Sequence, residues 1–198
     1  MRSWSLLILS SLLAGCPKAA SPEGSGTSVG TAGGSTASVA KAEQITSSVT
    51  ADGLTEVKVD LDRDGRAEIV NYYRERTDGR LLLRKDTDLD RDGRIDVRTE
   101  FDDAGQRTKE TYDGDFDGRA DCVDHFIGGK RTFSEVDTDY NGSFDLFKYY
   151  ESGVTRRKER DSDGDSRIDM WEYLDAQGVV VKTGKDIDGD GKMDLREQ

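Results

Sequence analysis

A chain of 198 residues is long enough for one compact domain, yet only 33% of it is hydrophobic and 8% aromatic, against 35% charged. The large apolar side chains that would fill a core of that size are scarce. A net charge of −12 speaks against a nucleic-acid partner, and the single histidine, His125, excludes a histidine-based triad or a multi-histidine zinc site.

Residues 1–15 read as an export signal: one positive charge in "MRSW", then an apolar run too short to span a bilayer. Leu13, Ala14, Gly15 and Cys16 resemble the bacterial lipobox. That resemblance implies a diacylated Cys16 as the mature N-terminus. The protein would then be held to a membrane by lipid, at the outer membrane or cell surface rather than the inner membrane. The alternative is an ordinary secretory signal with an incidental cysteine. Residues 16–50 continue as Gly, Ser, Thr and Ala with almost no large apolar group, which predicts a flexible tether with an end-to-end distance of about 30 Å. With Cys16 lipidated, Cys122 is the only other cysteine, so no internal disulfide framework is expected.

From residue 51 to 198 a nine-residue acidic pattern recurs six times: "DLDRDGRAE" from Asp60, "DLDRDGRID" from Asp88, "DGDFDGRAD" from Asp113, "DTDYNGSFD" from Asp137, "DSDGDSRID" from Asp161 and "DIDGDGKMD" from Asp186. Successive copies are 28, 25, 24, 24 and 25 residues apart, a period that marks a repeat architecture. After each loop comes a run rich in β-branched and aromatic residues, then a turn signal such as "TDG" at Thr77 or "GG" at Gly128, then a second such run.

The apolar columns have period two: Ile69, Val97, Cys122, Leu146, Met170 and Leu195 stand just after the loops, and Tyr73, Phe101, Phe126, Tyr150 and Leu174 stand four residues on. The predicted fold is therefore all-β, an open array in which an antiparallel meander of about a dozen strands places hairpin turns on one side and acidic loops on the other. Closure into a propeller is disfavoured, because one period holds two strands and not four.

Alternate carboxylates on a curling backbone converge on one centre, and oxygen ligands suit a hard cation such as Ca2+. The predicted ligands are Asp60, Asp62, Asp64 and Glu68; Asp88, Asp90, Asp92 and Asp96; Asp113, Asp115, Asp117 and Asp121; Asp137, Asp139, Asn141 and Asp145; Asp161, Asp163, Asp165 and Asp169; and Asp186, Asp188, Asp190 and Asp194. In the second copy Arg94 would add its main-chain carbonyl. The pattern resembles the first nine positions of the EF-hand loop, and also thrombospondin type 3 and integrin-type loops. The flanking β-type runs contradict the helices of an EF-hand. Its twelfth-position glutamate has a counterpart only at Glu172 and Glu197, which the resemblance adds to the predicted ligands of the last two loops; Asn71, Thr99, Asp124 and Lys148 stand there in the other copies.

Without a cation, convergent carboxylates 4 Å apart repel by about 4 kcal/mol per pair at an effective dielectric near 20. Calcium is therefore expected to fold the array, with the weak affinity of extracellular modules, about 0.1 to 1 mM. Paired carboxylates such as Asp113 and Asp115 could be read as a glycosidase pair, but that needs two unlike environments and here every pair is alike. His125 and Cys122 read as strand residues. The cations of the second strands, Arg84, Lys85, Arg107, Lys109, Lys130, Arg131, Arg156, Arg157, Lys158 and Lys182, read as cross-strand partners of Asp and Glu, or as a ridge for an anionic glycan.

The expectation is a non-enzymatic, lipid-anchored envelope protein acting as a calcium-stabilised spacer or scaffold. The alternative is an adhesin that meets a glycan or envelope protein through Tyr72, Tyr149, Trp171 and Tyr173.

Overall fold

The period-two columns do become strands. The computed structural model describes residues 43–197, apart from the side chains of Leu195 and Glu197. The expected signal, Cys16 and the tether as far as residue 42 lie outside the described residues. Thirteen strands follow one another: β1 (Gln44–Val49), β2 (Thr55–Asp60), β3 (Ile69–Arg76), β4 (Gly79–Thr87), β5 (Val97–Phe101), β6 (Arg107–Tyr112), β7 (Cys122–Ile127), β8 (Lys130–Val136), β9 (Leu146–Glu151), β10 (Val154–Arg160), β11 (Met170–Leu174), β12 (Val180–Lys185) and β13 (Leu195–Glu197). Each is antiparallel to its neighbours in sequence, in the order β1 to β13, and among the described residues β1 pairs with β2 alone and β13 with β12 alone. The result is an open meander, not a barrel.

The sheet begins earlier than the boundary at residue 51. Gln44–Val49 pairs along β2 from Gln44 opposite Asp60 to Val49 opposite Thr55, although all six of its side chains are exposed. Main-chain hydrogen bonds to β2 hold it in place, so its lack of apolar bulk does not prevent it forming.

Five hairpins, β3–β4, β5–β6, β7–β8, β9–β10 and β11–β12, carry a register shift near the turn, at Tyr72/Tyr73, Glu100/Phe101, His125/Phe126, Thr155/Arg157 and Tyr173/Leu174. The bulge recurs at one place in every repeat and locally increases twist. Pairing between strands flanking an acidic loop runs without such a shift, as in Thr87 opposite Val97.

Burial is greatest at the centre, where Cys122, Val136 and Leu146 form a cluster with Tyr112 against it. Phe126, Tyr150 and Leu174 of the second apolar column are also buried. Cys122 is wholly buried but is not a free thiol. The reading of it as a buried strand residue holds.

Long cationic side chains cover much of the remaining aromatic surface. Arg84 lies 3.8 Å from the Tyr72 ring centre, Arg157 3.9 Å from Tyr149, and Arg107 4.7 Å from Phe126. Their stems shield the rings while their heads reach carboxylates, such as Glu110 for Arg107 at 2.7 Å and Asp124 for Arg131 at 2.9 Å. Arg131 with Asp124, and Lys158 with Glu172, make the cross-strand pairing expected of the second-strand cations, whereas Arg107 with Glu110, Arg84 with Asp86 and Arg157 with Glu159 pair along a single strand.

Candidate metal-binding loops

The six loops share one hydrogen-bonding scheme, set by the spacing of their aspartates. The first carboxylate accepts the N–H of the sixth residue at 2.6 to 2.9 Å in all six copies, from Gly65, Gly93, Gly118, Gly142, Ser166 and Gly191. Its other oxygen accepts the N–H of the fourth residue in five copies, at 2.5 to 2.9 Å, and that of Asn141 at 3.3 Å in the remaining one. The ninth carboxylate reaches back to the N–H of the second residue at 2.5 to 3.0 Å. The side chain at position five accepts the N–H of position seven at 2.7 to 2.9 Å. Short polar side chains thus take over the main-chain donors that no strand can satisfy.

The backbone pays with two left-handed residues per loop. Glycine at the sixth position was expected, and Gly65 and Gly93 adopt φ of 96° and 95°. The fourth position was not foreseen: Arg63, Arg91, Phe116 and Tyr140 have φ between 61° and 68°. The signal in the sequence was the glycine at that position in the last two copies, Gly164 and Gly189. A non-glycine residue there costs about 1 to 2 kcal/mol.

This geometry brings carboxylates together. Asp60, Asp62, Asp64 and Glu68 each place an oxygen within 4.8 Å of the others, as do Asp88, Asp90 and Asp96; Asp113, Asp115 and Asp121; Asp137, Asp139 and Asp145; and Asp161, Asp163 and Asp169. In most of these groups the first and ninth carboxylates are the shielded ones and the third is exposed. Oxygens that close can all reach one cation at about 2.4 Å, and an all-oxygen set suits a hard ion rather than zinc. A carboxylate has about four lone-pair sites, so the N–H bonds leave capacity for a cation. Asp92, Asp117 and Asp165 stand outside those groups; like Asp64 and Asn141, each accepts the N–H two residues on. Around Asp186, Asp188, Asp190 and Asp194 the same bonds recur.

Glu172 is a correction. It lies on β11, 3.0 Å from Lys158, and not with Asp161, Asp163 and Asp169. In an EF-hand a helix turns the twelfth residue back toward the ion. Here pairing has already begun at the tenth residue, and three strand residues carry the side chain roughly 10 Å away. Glu197 occupies the same position on β13, opposite Thr183.

The loops are stitched sideways. The N–H of each following first residue donates to the carbonyl of the preceding ninth residue, as in Asp88 to Glu68 and Asp113 to Asp96, both at 2.8 Å. Burial raises the pKa of Asp96 and of Asp121. The charges of Asp90 and Asp88, and of Asp115 and Asp113, raise them further, against the lowering effect of backbone hydrogen bonds.

A raised carboxyl pKa means that the folded chain holds its proton longer than the unfolded chain. The stability Asp96 contributes without divalent cations is therefore complete below the ordinary value of 3.8 and is lost as pH rises through the raised value. Asp96→Asn keeps an acceptor for the Leu89 N–H and removes the titration. In chelator, its stability should fall less above pH 3.8 than that of the parent; equal slopes in thermal unfolding would count against this assignment.

No family model and no curated protein matches the chain. Among solved structures, the sheet is similar to part of accessory secretory protein 1, 2 and 3 of Streptococcus pneumoniae, at 13% identity and a TM-score of 0.33 over 61% of this chain. The chain spans only 19% of that structure's length. A likeness at that level carries no argument about function.

Proposed function

We propose that the chain is a calcium-binding, lipid-anchored protein of the bacterial cell envelope, a non-enzymatic spacer whose loops are clamped by divalent ions. The observation that carries this reading is the repeated convergence of oxygen donors at one spacing in loop after loop. Twelve inter-strand steps of about 4.8 Å would make the array roughly 60 Å across its strands. The aromatic columns favour the spacer over the adhesin: Tyr72, Tyr149 and Tyr173 lie beneath Arg84, Arg157 and Lys182.

Equilibrium dialysis against calcium tests the reading. Several ions should bind per chain with dissociation constants of about 0.1 to 1 mM; a chain that retains none at that concentration is not a calcium clamp. The anchor is tested separately by the mass of the N-terminal peptide from membrane-extracted protein. A peptide without the lipid mass would remove the anchor and leave the clamp standing.

A further inference from the structure

Four of the five junctions between consecutive loops are closed by one device. The seventh residue of a loop is an arginine whose Nη1 donates to a main-chain carbonyl of the next loop: Arg66 to Asp92 at 3.2 Å, Arg94 to Asp117 at 3.4 Å, Arg119 to Asn141 at 3.5 Å and Arg167 to Gly189 at 2.6 Å. The guanidinium lies against the sixth residue of the receiving loop. A Cβ at Gly93 or Gly118 would stand 3.6 Å from it, and one at Gly142 would stand 2.5 Å from it.

The junction between the fourth and fifth loops departs from this on both sides. Its seventh residue is Ser143, whose side chain is too short to cross, and the receiving loop carries Ser166 where the other loops have glycine. A cavity of 370 Å³ opens there, with Asp139, Asn141 and Ser143 on one wall and Asp163, Gly164 and Ser166 on the other. The next junction also holds a cavity, of 520 Å³, but Arg167 lines that one and donates across it.

We infer that the fourth junction is a seat for a guanidinium group supplied by another molecule, the arginine side chain of a protein partner. Ser166 apart, the receiving loop repeats the internal hydrogen bonds of the loops that take the chain's own arginines elsewhere. Loops four and five carry seven carboxylates between them against Arg160 on the cavity wall, Arg167 in loop five and Arg119 beside Gly142, so the junction is anionic in chelator and stays so with one divalent cation bound. A guanidinium presents five donors in a planar fork, enough to serve a carbonyl and a carboxylate together, which an ammonium does less well. One exposed seat of this kind binds weakly, at about 1 mM, and several arginines along a partner would raise the avidity.

The test is an amide-resolved NMR titration of the mature chain with the peptide Gly-Arg-Gly, and with Gly-citrulline-Gly as a neutral isostere, once in calcium and once in chelator. The arginine peptide should shift the amides of residues 141–143 and 163–166 saturably, the citrulline peptide should not, and Ser143→Arg should weaken the response about tenfold by filling the seat from within. No saturable shift up to about 10 mM, an undiminished response in Ser143→Arg, or equal shifts in all six loops would overturn the inference. Because the seat is formed by the loop backbone, a response in chelator alone would separate it from the fate of the calcium reading.

Discussion

Replacing Arg131 by methionine is expected to cost about 3 kcal/mol of stability, read as a fall in the urea midpoint. Asp124, on β7 at the centre of the sheet, is only 1% exposed, and Arg131 on β8 holds its carboxylate at 2.9 Å. Ser134, fully buried, donates to the same carboxylate and lies 3.2 Å from the Tyr150 hydroxyl. The Arg131 guanidinium also spans the Phe126 and Tyr150 rings at 5.7 and 5.5 Å. Removing it takes the guanidinium from a buried carboxylate and uncovers two rings. Lys148 does not substitute for it without cost: burial pushes its pKa down, Asp124 opposes that, and Lys158, Arg131 and Arg160 add to it by repulsion. Changing Asp124 to leucine together with Arg131 to methionine removes both charges and should restore much of the loss. The exposed pair Arg156 and Glu151, at 3.4 Å, is the control, and Arg156→Met should cost under about 0.5 kcal/mol.

Asp88→Ala should cost a similar amount, about 3 kcal/mol, even in chelator. Asp88 is 5% exposed and accepts the N–H groups of Arg91 at 2.7 Å and Gly93 at 2.8 Å, both in left-handed residues that the loop must hold. Two charge-assisted bonds are lost together and the donors are left to find water. Asp88→Asn retains one strong acceptor and should lose about half as much. Asp90 is exposed and accepts one N–H, that of Asp92 at 3.0 Å, so Asp90→Ala should cost about 1 kcal/mol in chelator. In calcium the two losses should converge upward, because each variant also removes a proposed ligand. If Asp90→Ala proved as costly as Asp88→Ala without any cation, the division between a backbone-holding first aspartate and a ligand third aspartate would be wrong.

Much of this was legible in the residues. The spacing of Asp and Gly located every loop, and the period-two columns located the strands from β3 to β13 and the open meander, because both patterns follow from strand geometry that a single chain displays directly. What was hidden depends on partners distant in sequence. β1 carries no apolar signal and exists through pairing with β2. The left-handed fourth position is masked by Arg63, Arg91, Phe116 and Tyr140, and shows only in Gly164 and Gly189. The loop-to-loop arginines look like ordinary surface charge until the loops are seen side by side. Glu172 was misassigned because the spacing was read through a helical template, while the chain had already become strand.

On the proposed function, divalent cations hold the loops and, through them, the sheet. Thermal unfolding of the full chain, followed by circular dichroism in chelator and in rising calcium, tests it most directly. The melting temperature of the β-structure should climb through the low millimolar range as the clamps fill, by the mass action of ions that bind only the folded loops. An unchanged melting temperature and unchanged β-signal up to several times about 1 mM calcium would contradict it.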